Sequence, residues 1–225
     1  MGKTKEEWRQ AYHDTAPLAG QGKIAEAIRR LDAYRQCRQI FVSPAKELAQ
    51  IRINALFDGK ELIMPGPGLK EGFYRLQPYV VPFTKLAFAV SLIGLPTHGQ
   101  LLRHQDLSQL AVSLLITEAL AVDGHGHRLG DGSGFFDLAC AILKQCGGLT
   151  EQPTVWAVGV APLAEDLPVD QWDVTMHGLI GQQGGIFFPP AGALPDIDWQ
   201  LLPKQRIKKM TPLWKEWEKT HAIAP

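Results

Sequence analysis

Apolar positions along the chain switch between two spacings. Ile24, Ala27, Ile28, Leu31 and Tyr34 recur at helical spacing and predict a helix over 22–37, after a charged amphipathic helix over 4–15. Arg38-Gln39-Ile40-Phe41-Val42 reads as a short strand ending at Pro44. Residues 45–57 return to helix and stop at Asp58-Gly59, a C-terminal signal. Glu61-Leu62-Ile63-Met64 is a second strand, closed by Pro65-Gly66-Pro67-Gly68. A helix over 84–93 follows, then a buried central strand from Leu114 toward Val122 and a helix from Phe135 to Cys146 that Gly147-Gly148 ends. Thr154 to Val160 and Asp173 to Ile180 supply the last strands. Strands alternating with helices predict an α/β architecture.

Two stretches fall outside this rhythm. Residues 65–82 are rich in Gly, Pro and aromatics, including Phe73, Tyr74 and Tyr79, and read as a structured loop whose rings serve the core or stack on a ligand. The tail is punctuated by Pro189, Pro190, Pro195, Pro203 and Pro212, with one or two short basic helices over 204–219. Trp199, Trp214 and Trp217 are costly to leave in water, so the tail is expected to pack on the domain or on a second subunit. The expected division is a domain over 1–188 and a Pro/Trp-rich basic extension over 189–225.

Charge narrows the classes of partner. The 225 residues carry 23 Lys and Arg against 23 Asp and Glu, which argues against a large nucleic-acid footprint and a polybasic membrane anchor. The longest apolar stretch, Leu110 to Val122, is interrupted by Ser113, Thr117 and Glu118 and is too short to span a bilayer. The N-terminus lacks an apolar leader core. Cys37, Cys140 and Cys146 form no CxxC pair and no even-numbered framework, so reduced thiols are expected. The expectation is a cytoplasmic monomer or homodimer acting on a small molecule.

Chemistry concentrates in Asp123-Gly124-His125-Gly126-His127-Arg128-Leu129-Gly130-Asp131-Gly132-Ser133-Gly134-Phe135-Phe136-Asp137. Glycines at 130, 132 and 134 stand between a predicted strand and a predicted helix, where the backbone can turn tightly and approach a ligand. The helix that follows offers unpaired N–H groups and a positive dipole end, and Asp137 in its first turn is a candidate Mg²⁺ ligand. Neither the Walker A nor the GxGxxG spacing is present. Physics alone leaves two readings open, an anion cradle and a tight turn that lets strand and helix pack. His125-x-His127 reads as a hairpin tip, and Glu118 either faces the site or pairs with a cation such as Arg128.

Residues 126–137 resemble the G-x-R-L-G-x-G-x-G-aromatic-aromatic-Asp signature of the 5-formyltetrahydrofolate cyclo-ligases, also called methenyltetrahydrofolate synthetases. Lys5 and Arg9 resemble the family's Lys-x-x-x-Arg, Ile40 to Ser43 and Ile63-Met64-Pro65 its first strands, and Leu167-Pro168-Val169 with Asp173-Val174 its segment near the last strand. The resemblance covers about residues 3–180. It implies a three-layer α/β/α sandwich of the cyclo-ligase (NagB/RpiA/CoA transferase-like) type that binds ATP and Mg²⁺. The implied reaction phosphorylates the formyl oxygen of 5-formyltetrahydrofolate, after which N10 attacks and phosphate leaves to give 5,10-methenyltetrahydrofolate. The implied nucleotide residues are Lys5, Arg9, Arg128, Gly130, Asp131, Gly132, Ser133, Gly134, Phe135, Phe136 and Asp137. Lys5 and Arg128 would be catalytic, Asp137 and Asp123 metal ligands, and Glu47, Gln50, Arg52 and Tyr74 the substrate side.

The sequence also departs from the family pattern. Glu118-Ala119-Leu120-Ala121-Val122-Asp123 replaces Pro-Gly-x-x-Phe-Asp, and Asp131 stands where a basic residue or tyrosine is common. The stretch after the first strand is shorter, and His177 replaces the acid expected after Asp173. Such changes mark a divergent branch with the phosphate side retained and the substrate side altered. The alternatives are a nucleotide- or metabolite-binding sensor and an ATP-using enzyme of another cofactor pathway, such as thiamin.

Overall fold

A computed structural model describes residues 2–12, 20–160, 163, 165–189 and 192–221. Its strands are β1 Gln39–Val42, β2 Glu61–Pro65, β3 Phe73–Leu76, β4 Gln100–Leu101, β5 Val112–Glu118, β6 Ala121–Val122, β7 Arg128–Leu129, β8 Leu149–Val158, β9 Gly178–Gly181 and β10 Gly184–Phe187. The helices are α1 Lys5–Tyr12, α2 Gln21–Arg29, α3 Asp32–Gln36, α4 Ala49–Phe57, α5 Leu86–Ala89, α6 Leu95–His98, α7 Phe135–Gln145, α8 Lys204–Lys209 and α9 Thr211–His221. Eight strands form one sheet in the order β10-β9-β8-β5-β1-β2-β3-β4, while β6 and β7 make a separate hairpin. The run β9-β8-β5-β1-β2 is parallel; β10 and β3 join its edges antiparallel, and β4 pairs antiparallel with β3.

Alternation along the strands fills two cores. Phe41, Ile63, Leu115 and Val155 pack on one face with α7, α8 and α9; Ile40, Val42, Leu62, Leu114 and Trp156 pack on the other with α2, α3 and α4. The result is the α/β/α sandwich expected from the sequence. Because both faces are covered, β5 reads as a continuous apolar run and not as an alternation. Trp199, Trp214 and Trp217 lie against the first of these cores.

Several boundaries differ from expectation. The predicted 22–37 helix breaks at Leu31, whose backbone is extended (φ −63°, ψ 136°). Arg29 Nε and the Tyr34 hydroxyl both donate to Asp58 Oδ2, at 2.7 and 2.8 Å. Five residues apart on one continuous helix they would face well away from each other, so the break lets both reach one carboxylate. The loop over 65–82 contains β3, and the 84–93 helix reduces to a 3₁₀ turn at 83–85 followed by α5. β5 stops at Glu118, leaving Ala121-Val122 to the β6–β7 hairpin. The strand expected over 173–180 begins only at Gly178, as β9, with Asp173 N turned back to Asp170 O at 3.0 Å. The predicted first helix is seen to Tyr12, and its expected residues 13–15 lie outside the described residues.

Candidate functional site

Strand order reverses between β5 and β1, since β1 is followed by β2 on one side and β5 returns to its other side. Open parallel sheets leave a crevice at the carboxyl ends of such strands. A cleft of about 600 Å³ lies there. Ser43 and Pro44 after β1, Pro65 ending β2 and Glu118 ending β5 form its floor, with residues 130–137 along one wall. Ser43 is fixed by its N–H to Ile116 O at 2.9 Å and its hydroxyl to Thr117 Oγ1 at 3.0 Å.

The wall is the segment from β7 into α7. Gly132 has φ +90°, and a Cβ there would come 3.1 Å from the Arg9 guanidinium carbon. Gly134, at φ +66°, sets the left-handed entry to α7. Both positions therefore require glycine. Asp131 folds back within the loop, accepting from Ser133 N at 2.9 Å and Ser133 Oγ at 2.7 Å. Arg9 Nε donates to Gly130 O at 3.1 Å. Arg206 of α8 donates to Ser133 O at 2.7 Å and lies 5.4 Å from the Phe135 ring centre. Phe135 and Phe136 both border the cleft, Phe136 otherwise buried beside Phe41.

Ion pairs organise the remainder. Lys5 Nζ lies 2.7 Å from Asp170 Oδ2 and also contacts Asp173 Oδ2. Arg128, only 7% exposed at its side chain, donates to Asp137 Oδ2 at 2.9 Å and to Glu118 O at 3.3 Å. Asp137 Oδ1 accepts from Val174 N at 3.1 Å, which ties the start of α7 to the segment before β9. Glu118 lines the cleft, and its contact with Arg128 runs through its backbone oxygen and not its carboxylate.

Lys5, Arg9, Arg128 and Gly130 through Asp137 therefore converge on one cleft. Asp123 does not join them, which corrects its expected place as a metal ligand. Its carboxylate is wholly buried and accepts from His125 N, His127 N, Leu167 N and His127 Nδ1 at 2.9–3.0 Å. Burial pushes this carboxyl upward, but the Leu167 and His127 hydrogen bonds outweigh it and hold the group below the usual range.

The expected substrate side is corrected as well. Arg52 points into the interior, donating to Val90 O at 3.0 Å, Ala45 O at 2.9 Å and Ser43 O. Burial pulls its guanidinium down to about 10, against the nearby charges of Glu118 and Glu47. It braces the β1–α4 connection that floors the cleft. Gln50 spends its amide on Asn54 Oδ1 at 2.8 Å, and buried Tyr74 donates to Glu71, the hydroxyl pushed up to about 12 chiefly by burial. Neither borders the cleft, nor does Glu47. The sequence alone points to no role for Trp172, Asp170 or Arg206 and marks Asp173 only through the family-like segment, yet Trp172, Asp170 and Asp173 line the cleft and Arg206 braces its loop. The Asp170-x-x-Asp173 spacing was the available signal; Arg206 carried none. His177 serves the sheet, its Nδ1 accepting from Val155 N at 3.1 Å.

An α/β sandwich with a glycine loop opening a helix at a strand-order reversal defines a class of anion-binding folds. Within that class, a sequence profile of the 5-formyltetrahydrofolate cyclo-ligase family matches residues 4–181, and the chain belongs to this family. A human methenyltetrahydrofolate synthase domain-containing protein is 26% identical over 181 residues, covering 76% of this chain and 46% of that protein. The Escherichia coli K12 5-formyltetrahydrofolate cyclo-ligase is 33% identical over 87 residues, 38% of this chain and 46% of that one. The chain thus spans about half the length of the curated relatives it matches. An NMR structure of Aquifex aeolicus 5,10-methenyltetrahydrofolate synthetase shares the fold, with a TM-score of 0.55 at 19% identity, over 87% of this chain and 98% of that one. Among the described residues no helix is long and apolar enough to cross a membrane.

Proposed function

We propose that the chain catalyses the family's ATP-dependent cyclisation of 5-formyltetrahydrofolate to 5,10-methenyltetrahydrofolate. The observation that carries this reading is the convergence of the glycine loop, Lys5, Arg9 and Arg128 on a cleft at the strand-order reversal. The donor set fits a nucleotide–Mg²⁺ pair: a glycine cradle that a side chain at 132 would crowd, and the carboxylates of Asp137, Asp170 and Asp173 as hard oxygen donors. Asp137 would hold the metal, which supplies charge neutralisation between phosphate oxygens. Lys5 and Arg9 would bind the phosphates from α1. Arg128, wedged between Glu118 and Asp137, would stabilise charge on the transferred group, and Trp172 offers an exposed ring beside Asp170 and Asp173. The chain's contribution is alignment of phosphoryl group and formyl oxygen, together with electrostatic stabilisation.

The test is turnover: purified protein, 5-formyltetrahydrofolate, ATP and Mg²⁺, followed by methenyl absorbance and ADP release. Asp137→Asn is expected to weaken Mg²⁺-dependent ATP binding about tenfold, and unchanged affinity would remove the metal from that residue. A second reading, a nucleotide-binding paralogue without folate turnover, is favoured by Glu47, Gln50, Arg52 and Tyr74 lying off the cleft. Under it, ATP–Mg²⁺ raises the melting temperature while no methenyl product or ADP accumulates.

A further inference from the structure

A second cluster of chemistry-bearing side chains lies outside the cleft. His104 opens the 3₁₀ turn after β4, Cys146 caps the far end of α7, and Glu216 sits midway along α9. One ligand atom from each lies within 4.8 Å of the others. We propose that His104, Cys146 and Glu216 form a site for a zinc-class divalent cation that fastens α9 to the sandwich.

Both His104 ring nitrogens are buried and make no hydrogen bond among the described residues, although Nε2 stands 2.6 Å from Glu216 Oε1. Burying an imidazole with no hydrogen bond is costly, and a cation coordinated at one ring nitrogen would satisfy that atom. Cys146 Sγ lies 3.6 Å from Glu216 Oε1, the separation of about 3.6 Å that tetrahedral zinc sets between a thiolate and a carboxylate oxygen. The imidazole and carboxylate need to open to about 3.4 Å to straddle the ion. Gln145 Nε2 steadies the other carboxylate oxygen at 3.2 Å. His104 also borders a surface cavity of about 300 Å³, which gives an ion a way in.

The position already attracts positive charge, because Lys219 Nζ lies 2.8 Å from Glu216 Oε1. Its side chain is 60% exposed and can swing into water when a metal takes its place. On binding, the Cys146 S–H bond breaks, sulfur keeps the electron pair to bind the metal, and the proton passes to solvent; water supplies a fourth ligand. Lys215 and Lys219 oppose the incoming ion, so softness and chelation by three groups carry the affinity, not the local field.

The experiment uses untagged, metal-stripped full chain titrated with ZnCl₂ against a chromophoric chelator, and separately with CoCl₂. One equivalent should bind, and cobalt should give a near-ultraviolet thiolate-to-metal band. Cys146→Ser should abolish that band, Cys146→Ser and His104→Gln should each weaken zinc binding about tenfold or more, and exposed Lys219→Met should tighten it. Zinc should slow amide exchange in α9. Absence of stoichiometric binding or of the cobalt band in the unmodified chain overturns the site, as does zinc binding that Cys146→Ser and His104→Gln leave unchanged. Binding that Lys219→Met fails to tighten also overturns it. None of these readouts depends on folate or ATP turnover.

Discussion

Replacing Asp123 tests whether the glycine segment hangs from a buried carboxylate. Its Oδ1 accepts from the backbone N–H groups of His125 and His127, both at 2.9 Å, and Oδ2 from Leu167 N at 3.0 Å and His127 Nδ1 at 2.9 Å. Asp123→Ala strips all four bonds and leaves three backbone donors facing the interior. Each unpaired group costs about 1–3 kcal/mol, and water entering the vacated space recovers part, so a loss of about 3–5 kcal/mol is expected. Asp123→Asn keeps Oδ1 and its two N–H donors, and its amide can donate to the other His127 tautomer. That variant should lose only about 2 kcal/mol.

The pH dependence has a definite sign. A carboxyl held low in the folded state stabilises above its unfolded pKa of about 3.9, and that contribution disappears as pH falls through the folded value. The gap between wild type and Asp123→Asn should therefore narrow on acidification below about pH 4. Urea unfolding followed by tryptophan fluorescence measures both quantities. An alanine variant within about 1 kcal/mol of wild type, or an asparagine variant as damaging as alanine, would refute the reasoning. Nucleotide-dependent Mg²⁺ affinity should stay the same in Asp123→Asn, in contrast to Asp137→Asn.

Other expectations rest on separate contacts. Arg52→Met orphans the carbonyls of Val90, Ala45 and Ser43 and should cost about 2–4 kcal/mol in urea titrations; no loss would mean that buried charge and hydrogen bonds cancel at that site. Arg206→Ala should leave the melting temperature nearly unchanged yet weaken nucleotide binding by about threefold to tenfold in calorimetry, because it releases only Ser133 O and the Phe135 ring. Trp172 is 42% exposed and borders the cleft, so ligand entry should change tryptophan emission in wild type and not in Trp172→Phe.

What the sequence disclosed depended on the range of each interaction. The glycine loop and the helix behind it are local, and their spacing was enough to place residues 130–137. Covered strands such as β5 were visible as apolar runs, while β4 has only two residues and β3 and β10 sit in glycine- and proline-rich stretches that hide a strand. The partners of Lys5 lie 165 and 168 residues away, and no spacing rule reaches that far. Arg52 misled for a different reason. Arginine on a helix is usually at the surface, and only the loop carbonyls around it explain its burial. Asp123 misled because a carboxylate beside a glycine loop looks like a ligand until its hydrogen bonds are counted.

The cleft's cations come already engaged: Lys5 with Asp170 and Asp173, Arg9 with Glu6, Arg128 with Asp137. Occupancy by a polyanion is therefore an exchange of partners and not capture by a bare positive field. A lone sulfate or inorganic phosphate can claim a cation only by stranding a carboxylate, which returns much of the Coulomb gain. An anion that arrives with its own divalent counterion offers both sides of the exchange a partner. The acids lining the cleft then act as a filter against simple salts, and binding should depend far less steeply on ionic strength than the number of basic residues would imply.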